Sequence, residues 1–167
     1  MSSRELKLCE LSYSDRQLFI TFYRSHKQKL AVKKNERLFM LFNGNTAVAA
    51  LKISPIVIRQ SAEQLTTFWL LRNMFVPENF RRQGYALSLL EHLKDDFNQL
   101  TEGSLGQGLF CFPWCNLTSL YTSAGFQLVA LRASENLSDI KELPVEIVQR
   151  YRKYCDNGLD ISLCRWC

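Results

Sequence analysis

Asn73-Met74-Phe75-Val76-Pro77-Glu78-Asn79-Phe80-Arg81-Arg82-Gln83-Gly84-Tyr85-Ala86 is the stretch on which the reading of this chain turns. The run before it, residues 65–76, is rich in aromatic and aliphatic side chains and reads as a strand. Behind it, Ala86, Leu89, Leu90, Leu93 and Phe97 recur at the spacing of one helical face and predict a helix to about Leu100. A strand therefore enters a glycine-containing turn and a helix starts at once. The first helical turn has N–H groups without intrahelical partners and carries the positive end of the macrodipole. Such a terminus suits a phosphate. Gly84 removes a Cβ where a pyrophosphate must come close to the backbone, Ala86 keeps the next turn small, and Arg81 and Arg82 add positive charge.

Two common phosphate loops are absent. There is no G-x-x-x-x-G-K-S/T, which excludes a P-loop NTPase. Gly103, Gly106 and Gly108 precede a strand instead of following one, so they read as a connection and not as a dinucleotide fingerprint.

Toward the N-terminus, residues 4–11 alternate as a first strand. Ser14-Asp15 opens a helix with Leu18, Phe19, Phe22 and Tyr23 on its apolar face, and residues 25–35 hold a short helix or loop. Residues 37–42 form a strand. Asn43-Gly44-Asn45 predicts a hairpin turn into a strand over 46–59, which Pro55 bends or ends at an edge. Toward the C-terminus, Leu109 to Phe112 is a short buried strand stopping at Pro113, and Leu117 to Ala124 is a short helix ended by Gly125. Phe126 to Leu131 is a strand, Leu143 to Tyr154 a helix with Pro144 in its first turn, and Asp160 to Trp166 a last strand. This order predicts an α/β (α+β) fold, a mixed and mostly antiparallel central sheet flanked by helices on both faces, in a single domain over 1–167.

Bulk composition narrows the function classes. Of 167 residues, 47% are hydrophobic and 22% charged, as in ordinary globular domains. No apolar run approaches the ~20 residues that span a bilayer, and the N-terminus lacks the apolar core of a signal peptide. A cytoplasmic protein without a membrane partner is expected. The net charge of +5 is scattered without a basic arm, so no nucleic-acid partner is expected. Six cysteines, without an export signal, read as reduced and mostly buried thiols, and no metal site is expected.

The loop Arg81-x-x-Gly84-x-Ala86 matches the Gln/Arg-x-x-Gly-x-Gly/Ala pattern of the GNAT superfamily of N-acetyltransferases. A second match follows in the family's order: a buried strand at Leu109 to Phe112, a short helix, and Tyr121-Thr122-Ser123-Ala124-Gly125-Phe126. The resemblance covers residues 4–132. The chain departs from the pattern in three places. Val76 and Pro77 are adjacent where the family has Val-x-Pro. Trp114 stands where the family often has asparagine, with Asn116 two residues on. The segment 133–167 is longer than usual between the last two strands.

The resemblance implies acetyl-CoA as cofactor. Backbone groups of Met74, Phe75 and Val76 would pair with the pantetheine arm, and one N–H there would polarise the thioester carbonyl. N–H groups of Arg82, Gln83, Gly84, Tyr85 and Ala86 would take the pyrophosphate after Arg81, with Ser88 and Asn116 as further contacts. Tyr121 would be the general acid for the leaving thiolate; its alternative is core packing. The base is not evident: the strand at 65–76 has no carboxylate, and His26, Glu63 and Glu78 qualify by position only. The implied reaction is direct acetyl transfer to a primary amine, on a small molecule or amino acid derivative. The alternatives are a protein N-terminus or lysine, or a module that binds acyl-CoA without turnover. Many members of the superfamily pair, which makes a homodimer an option. The helix at 143–154 either covers core or forms a lid over the acceptor.

Overall fold

A computed structural model of the protein describes residues 5–101, 108–131 and 143–166. Its elements are β1 (Leu6–Glu10), α1 (Arg16–Ser25), β2 (Arg37–Asn43), β3 (Thr46–Arg59), β4 (Leu65–Phe75), α2 (Tyr85–Thr101), β5 (Leu109–Cys111), α3 (Thr118–Ser123), β6 (Gln127–Leu131), α4 (Val145–Asp156) and β7 (Ser162–Trp166). The strands hydrogen-bond in the order β1-β2-β3-β4-β5-β7-β6. The mixed α/β architecture read from the sequence is the one observed. The glycine-rich connection at 102–107 lies outside the described residues, as do Cys167 and the stretch 132–142. Among the described residues no helix is long and apolar enough to cross a membrane.

Two compact units make up the fold: Met1–Pro55 with Leu71–Gly103, and Ile56–Leu70 with Ser104–Cys167. In the first, β2 pairs antiparallel with β1 and with β3. Gly44, at φ +58, provides the positive φ of the two-residue turn between β2 and β3. β2 is buried on both faces. Leu38 and Met40 pack with Ala50 and with Phe19, Phe22 and Tyr23 of α1. Phe39 and Leu41, equally buried, point to the opposite face, as alternation along a strand requires. On that face Asn43 donates through Nδ2 to the Tyr85 hydroxyl of α2 at 2.9 Å. Leu89, Leu90, Leu93 and Phe97 of α2 are buried as the helical stripe predicts. Leu18, read as part of the apolar face of α1, is instead half exposed at 50%. It falls outside the arc of the helix that Phe22, Phe19 and Tyr23 bury.

β3 runs through Pro55 to Arg59 and does not end there. The last β2 partner is Ile53, so the missing Pro55 N–H is not needed by that ladder. After α1 ends at Ser25, residues 26–35 form loop and turns, not a second helix. A buried ion pair organises the end of this loop. Lys52 Nζ lies 2.9 Å from both carboxylate oxygens of Glu36 and donates to Ala31 O at 2.7 Å. Ser54 Oγ and the Lys33 N–H also donate to the carboxylate, at 2.6 and 2.7 Å. From outside, the Arg16 guanidinium donates to the Lys33 and Lys34 carbonyls at 2.8 and 2.9 Å. Burial by itself raises the Glu36 pKa. The hydrogen bonds from Ser54, Lys33 and Lys52 and the Lys52 charge outweigh it and hold the carboxyl below its ordinary range.

In the second unit β7 pairs antiparallel with β5 and β6. Phe110 and Leu163 join Ile56, Leu70, Ala130 and Ile161 in a core closed by Ile147 and Tyr151 of α4. The Tyr151 hydroxyl donates to Ile161 O at 3.1 Å. Cys111 and Cys164, directly paired across β5 and β7, face the other way. There Thr118 of α3 shares a hydrogen bond with Ser162 at 2.7 Å, and Phe126 stacks at a tilt on Trp166. Helices therefore lie on both faces. α4 packs on the core through Ile147 and Tyr151, which are at most 1% exposed. It begins at Val145 with Pro144 as the capping residue just before it.

Ile147→Ala should lower stability by about 2–5 kcal/mol in urea unfolding, as expected for emptying a sealed core site. Lys52→Ala leaves a buried carboxylate unpaired and should cost about 3–5 kcal/mol by the same measurement at pH 7. Because Glu36 titrates lower in the folded chain than its unfolded value of about 4.3, its contribution is present above that value and disappears as pH falls through the lowered one. Glu36→Gln should therefore flatten the acid limb of stability against pH.

Candidate functional site

The sequence that leads from β4 to α2 folds as a strand end, a 3-10 turn at Glu78–Phe80 and an extended step at Arg81. Two positive-φ residues follow, Arg82 at +59 and Gly84 at +83. α2 begins at the next residue, and its first internal hydrogen bond runs from Ser88 N–H to Gly84 O at 3.0 Å. The N–H groups ahead of that bond have no acceptor inside the helix. Gly84 is exposed, and a Cβ built on it would meet nothing within 4 Å. Glycine is demanded here by φ, and the space in front of the peptide is open.

Tyr85 fixes this helix start from the inside. It is 4% exposed, its hydroxyl accepts from Asn43, and Phe80 packs edge-on against its ring at 6.1 Å. Two loop side chains fold back on the loop. Arg81 Nε donates to Val76 O at 3.0 Å, and Gln83 Nε2 donates to Asn79 O at 3.0 Å. Arg82 is exposed, while Ala86 and Ser88 are half-buried. An exposed backbone with positive φ at Arg82 and Gly84, a helix N-terminus and the Arg82 side chain nearby make a donor set that suits a diphosphate. Arg81 thus has a scaffolding contact that its position in the motif does not reveal.

The strand end ahead of the loop has an irregularity that sequence reasoning missed. Asn73, inside β4, has φ +54. The hydroxyl of Tyr23 in α1 donates to its carbonyl. Met74, Phe75 and Val76 after it are all half-buried. Phe75 packs against Phe22, Tyr23 and His26, with ring centroids 6.1, 5.7 and 5.7 Å apart. His26, considered as a base, is thus half-buried beside Phe75, whereas Glu63 and Glu78 are exposed.

Tyr121 and Asn116 belong to the second unit. α3 carries Tyr121 onto the face of β5 and β7 that holds Cys111 and Cys164. Its ring packs edge-on against Phe126 at 5.7 Å. Gly125, at φ +94, ends the helix so that Phe126 N–H returns to Tyr121 O at 3.0 Å. Burial, then the neighbouring Cys111 and Cys164 groups, push the Tyr121 phenol above its ordinary range, so it is protonated at neutral pH. Burial likewise pushes the Cys111 thiol up, which makes a poor nucleophile. Asn116 is exposed in a 3-10 turn at Cys115–Leu117, and Trp114 is 51% exposed. Among the described residues no three His, Cys, Asp or Glu side chains gather as a metal site.

No protein-family model and no curated protein matches the chain. Solved structures do match. One is Arabidopsis thaliana NAA60 in complex with acetyl-CoA, at 11% identity over 96% of this chain and 97% of that chain, with a TM-score of 0.58. Another is an N-acetyltransferase from Staphylococcus aureus Mu50, at 11% identity over 96% of each chain and a TM-score of 0.57. A third is a KacTA–DNA complex, at 14% identity over 97% of this chain and 92% of that chain, with a TM-score of 0.57. At these identities the likeness concerns architecture, and on it the chain has the fold of the GNAT N-acetyltransferases.

Proposed function

We propose that the protein transfers an acetyl group from acetyl-CoA to a primary amine, with a small amine or amino acid derivative as acceptor. The observation that carries this reading is the exposed, positive-φ turn at Gly84 opening directly onto α2, in a fold of acetyltransferases. Backbone N–H groups from Arg82 to Ala86 hold the pyrophosphate, aided by the N-terminal dipole of α2 and by Arg82. Ser88 and Asn116 supply further polar contacts. The backbone of Met74, Phe75 and Val76 aligns the pantetheine arm, and an N–H among them polarises the carbonyl that is attacked.

The thioester supplies an activated acyl group and a thiol leaving group. For the chain's residues, three tasks remain. The amine must lose a proton before it attacks, and solvent takes it, since β4 has no carboxylate to do so. The leaving sulfur must gain a proton, and Tyr121, kept protonated by burial, gives it. Bulk water must be kept from the thioester, which the apolar surroundings of Phe75 assist. A protein N-terminus, a lysine, or cofactor binding without turnover are the alternatives that assay separates.

Gly84→Glu strains the turn at φ +83 and places a carboxylate in front of the helix terminus, and should abolish coenzyme A binding in calorimetry while far-ultraviolet circular dichroism keeps its helix and sheet signal. Free-thiol release from acetyl-CoA across a panel of small amines and peptides should be amine-dependent; release by none of them leaves a binding module. Tyr121→Phe should slow that release about 10²-fold or more with coenzyme A affinity retained. The wild-type rate should lack an alkaline limb near pH 10, where an ordinary phenol ionises.

A further inference from the structure

We infer that Tyr23 is a positioning residue for the cofactor: its hydroxyl holds the left-handed backbone at Asn73 and so sets the strand segment Met74–Val76 in place for the thioester. This rests on the cofactor reading above. Asn73 is one of three non-glycine residues among the described ones with positive φ, and it lies inside a strand. A residue at φ +54 cannot continue a β pleat, whose φ lies near −120 to −140°. Asn73 is exposed, and Met74, Phe75 and Val76 after it are half-buried. Asn73 thus interrupts the pleat two residues before β4 ends at Phe75.

Such a kink persists where the surroundings over-determine it. Here the determinant is Tyr23. Its ring is 2% exposed, wedged between Phe19 at 4.8 Å, Phe22 at 5.7 Å and Phe75 at 5.7 Å. Its hydroxyl donates to the Asn73 carbonyl, the acceptor of the peptide that joins the kink to Met74. A phenol pinned in an aromatic cluster has little freedom to aim elsewhere, so α1 sets the orientation of that peptide. At the far end of the segment Arg81 Nε donates to Val76 O. The segment is bracketed by two side-chain bonds, one from α1 and one from the phosphate loop. Burial also raises the Tyr23 phenol, which keeps it a donor at neutral pH.

Tyr23→Phe keeps the ring and its packing and removes only the hydroxyl. It should weaken coenzyme A binding about three- to ten-fold in calorimetry, the worth of one hydrogen bond. In the unliganded protein it should speed amide exchange at residues 73–76, read by NMR. Asn73→Gly makes the positive φ available without a tether. The double variant Tyr23→Phe/Asn73→Gly should therefore bind coenzyme A within about two-fold of wild type. A general loss of packing at Tyr23 would not be repaired by glycine at 73. Wild-type binding with Tyr23→Phe unchanged in both affinity and exchange would overturn the inference, as would a double variant as weak as Tyr23→Phe. A wild-type protein that does not bind coenzyme A would instead remove the cofactor reading on which the inference stands.

Discussion

The start of α2 is held from beneath by Tyr85, and the usable chemistry of the first unit depends on that anchor. A helix terminus serves as an anion site only if its backbone faces outward and its position is fixed. The buried ring, with its hydroxyl on Asn43, ties the first helical residue to the end of β2. Gly84, immediately before, turns the chain at φ +83 with open space in front. The same residue pair thus joins the hydrophobic core to an exposed cradle of N–H groups. Arg81, bonded to Val76 O, connects this cradle to the strand that feeds it.

The first unit also shows how polar groups are brought inside without loss of order. Glu36 and Lys52 are 2% and 4% exposed, a costly arrangement unless every oxygen is matched. Ser54, the Lys33 N–H and the Ala31 carbonyl complete the matching. The network fastens the loop after α1 to β3, and Arg16, the first residue of α1, donates to two carbonyls of that loop. α1 in turn carries Tyr23 to the Asn73 carbonyl. Core electrostatics and strand geometry are linked through one helix.

The fold was legible wherever side-chain periodicity carried it. Leu89, Leu90, Leu93 and Phe97 announced the buried face of α2, and Asn43-Gly44-Asn45 announced the turn between β2 and β3. The motif at 81–86 marked the place of the strand-to-helix turn. Long-range polar bonds left no such trace. Nothing in the spacing of Asn43 and Tyr85, Tyr23 and Asn73, or Glu36 and Lys52 says that they meet, because each pair is joined by the sheet and not by local chain geometry. Positive φ at Asn73 and Arg82 was equally silent, since neither is glycine. Pro55 does not end β3, for a definable reason: proline ends a strand only where its missing N–H is needed, and β2 stops short of it. The apolar residues of 143–154 marked a helix that covers core, and Ile147 and Tyr151 are in that core.

An NMR titration of the 15N-labelled protein with coenzyme A tests the proposed diphosphate site residue by residue. Saturable amide shifts centred on residues 82–87, at the start of α2, are the expected result. Absence of shifts, or shifts confined to residues remote from that turn, would contradict the assignment of the helix terminus as the diphosphate site.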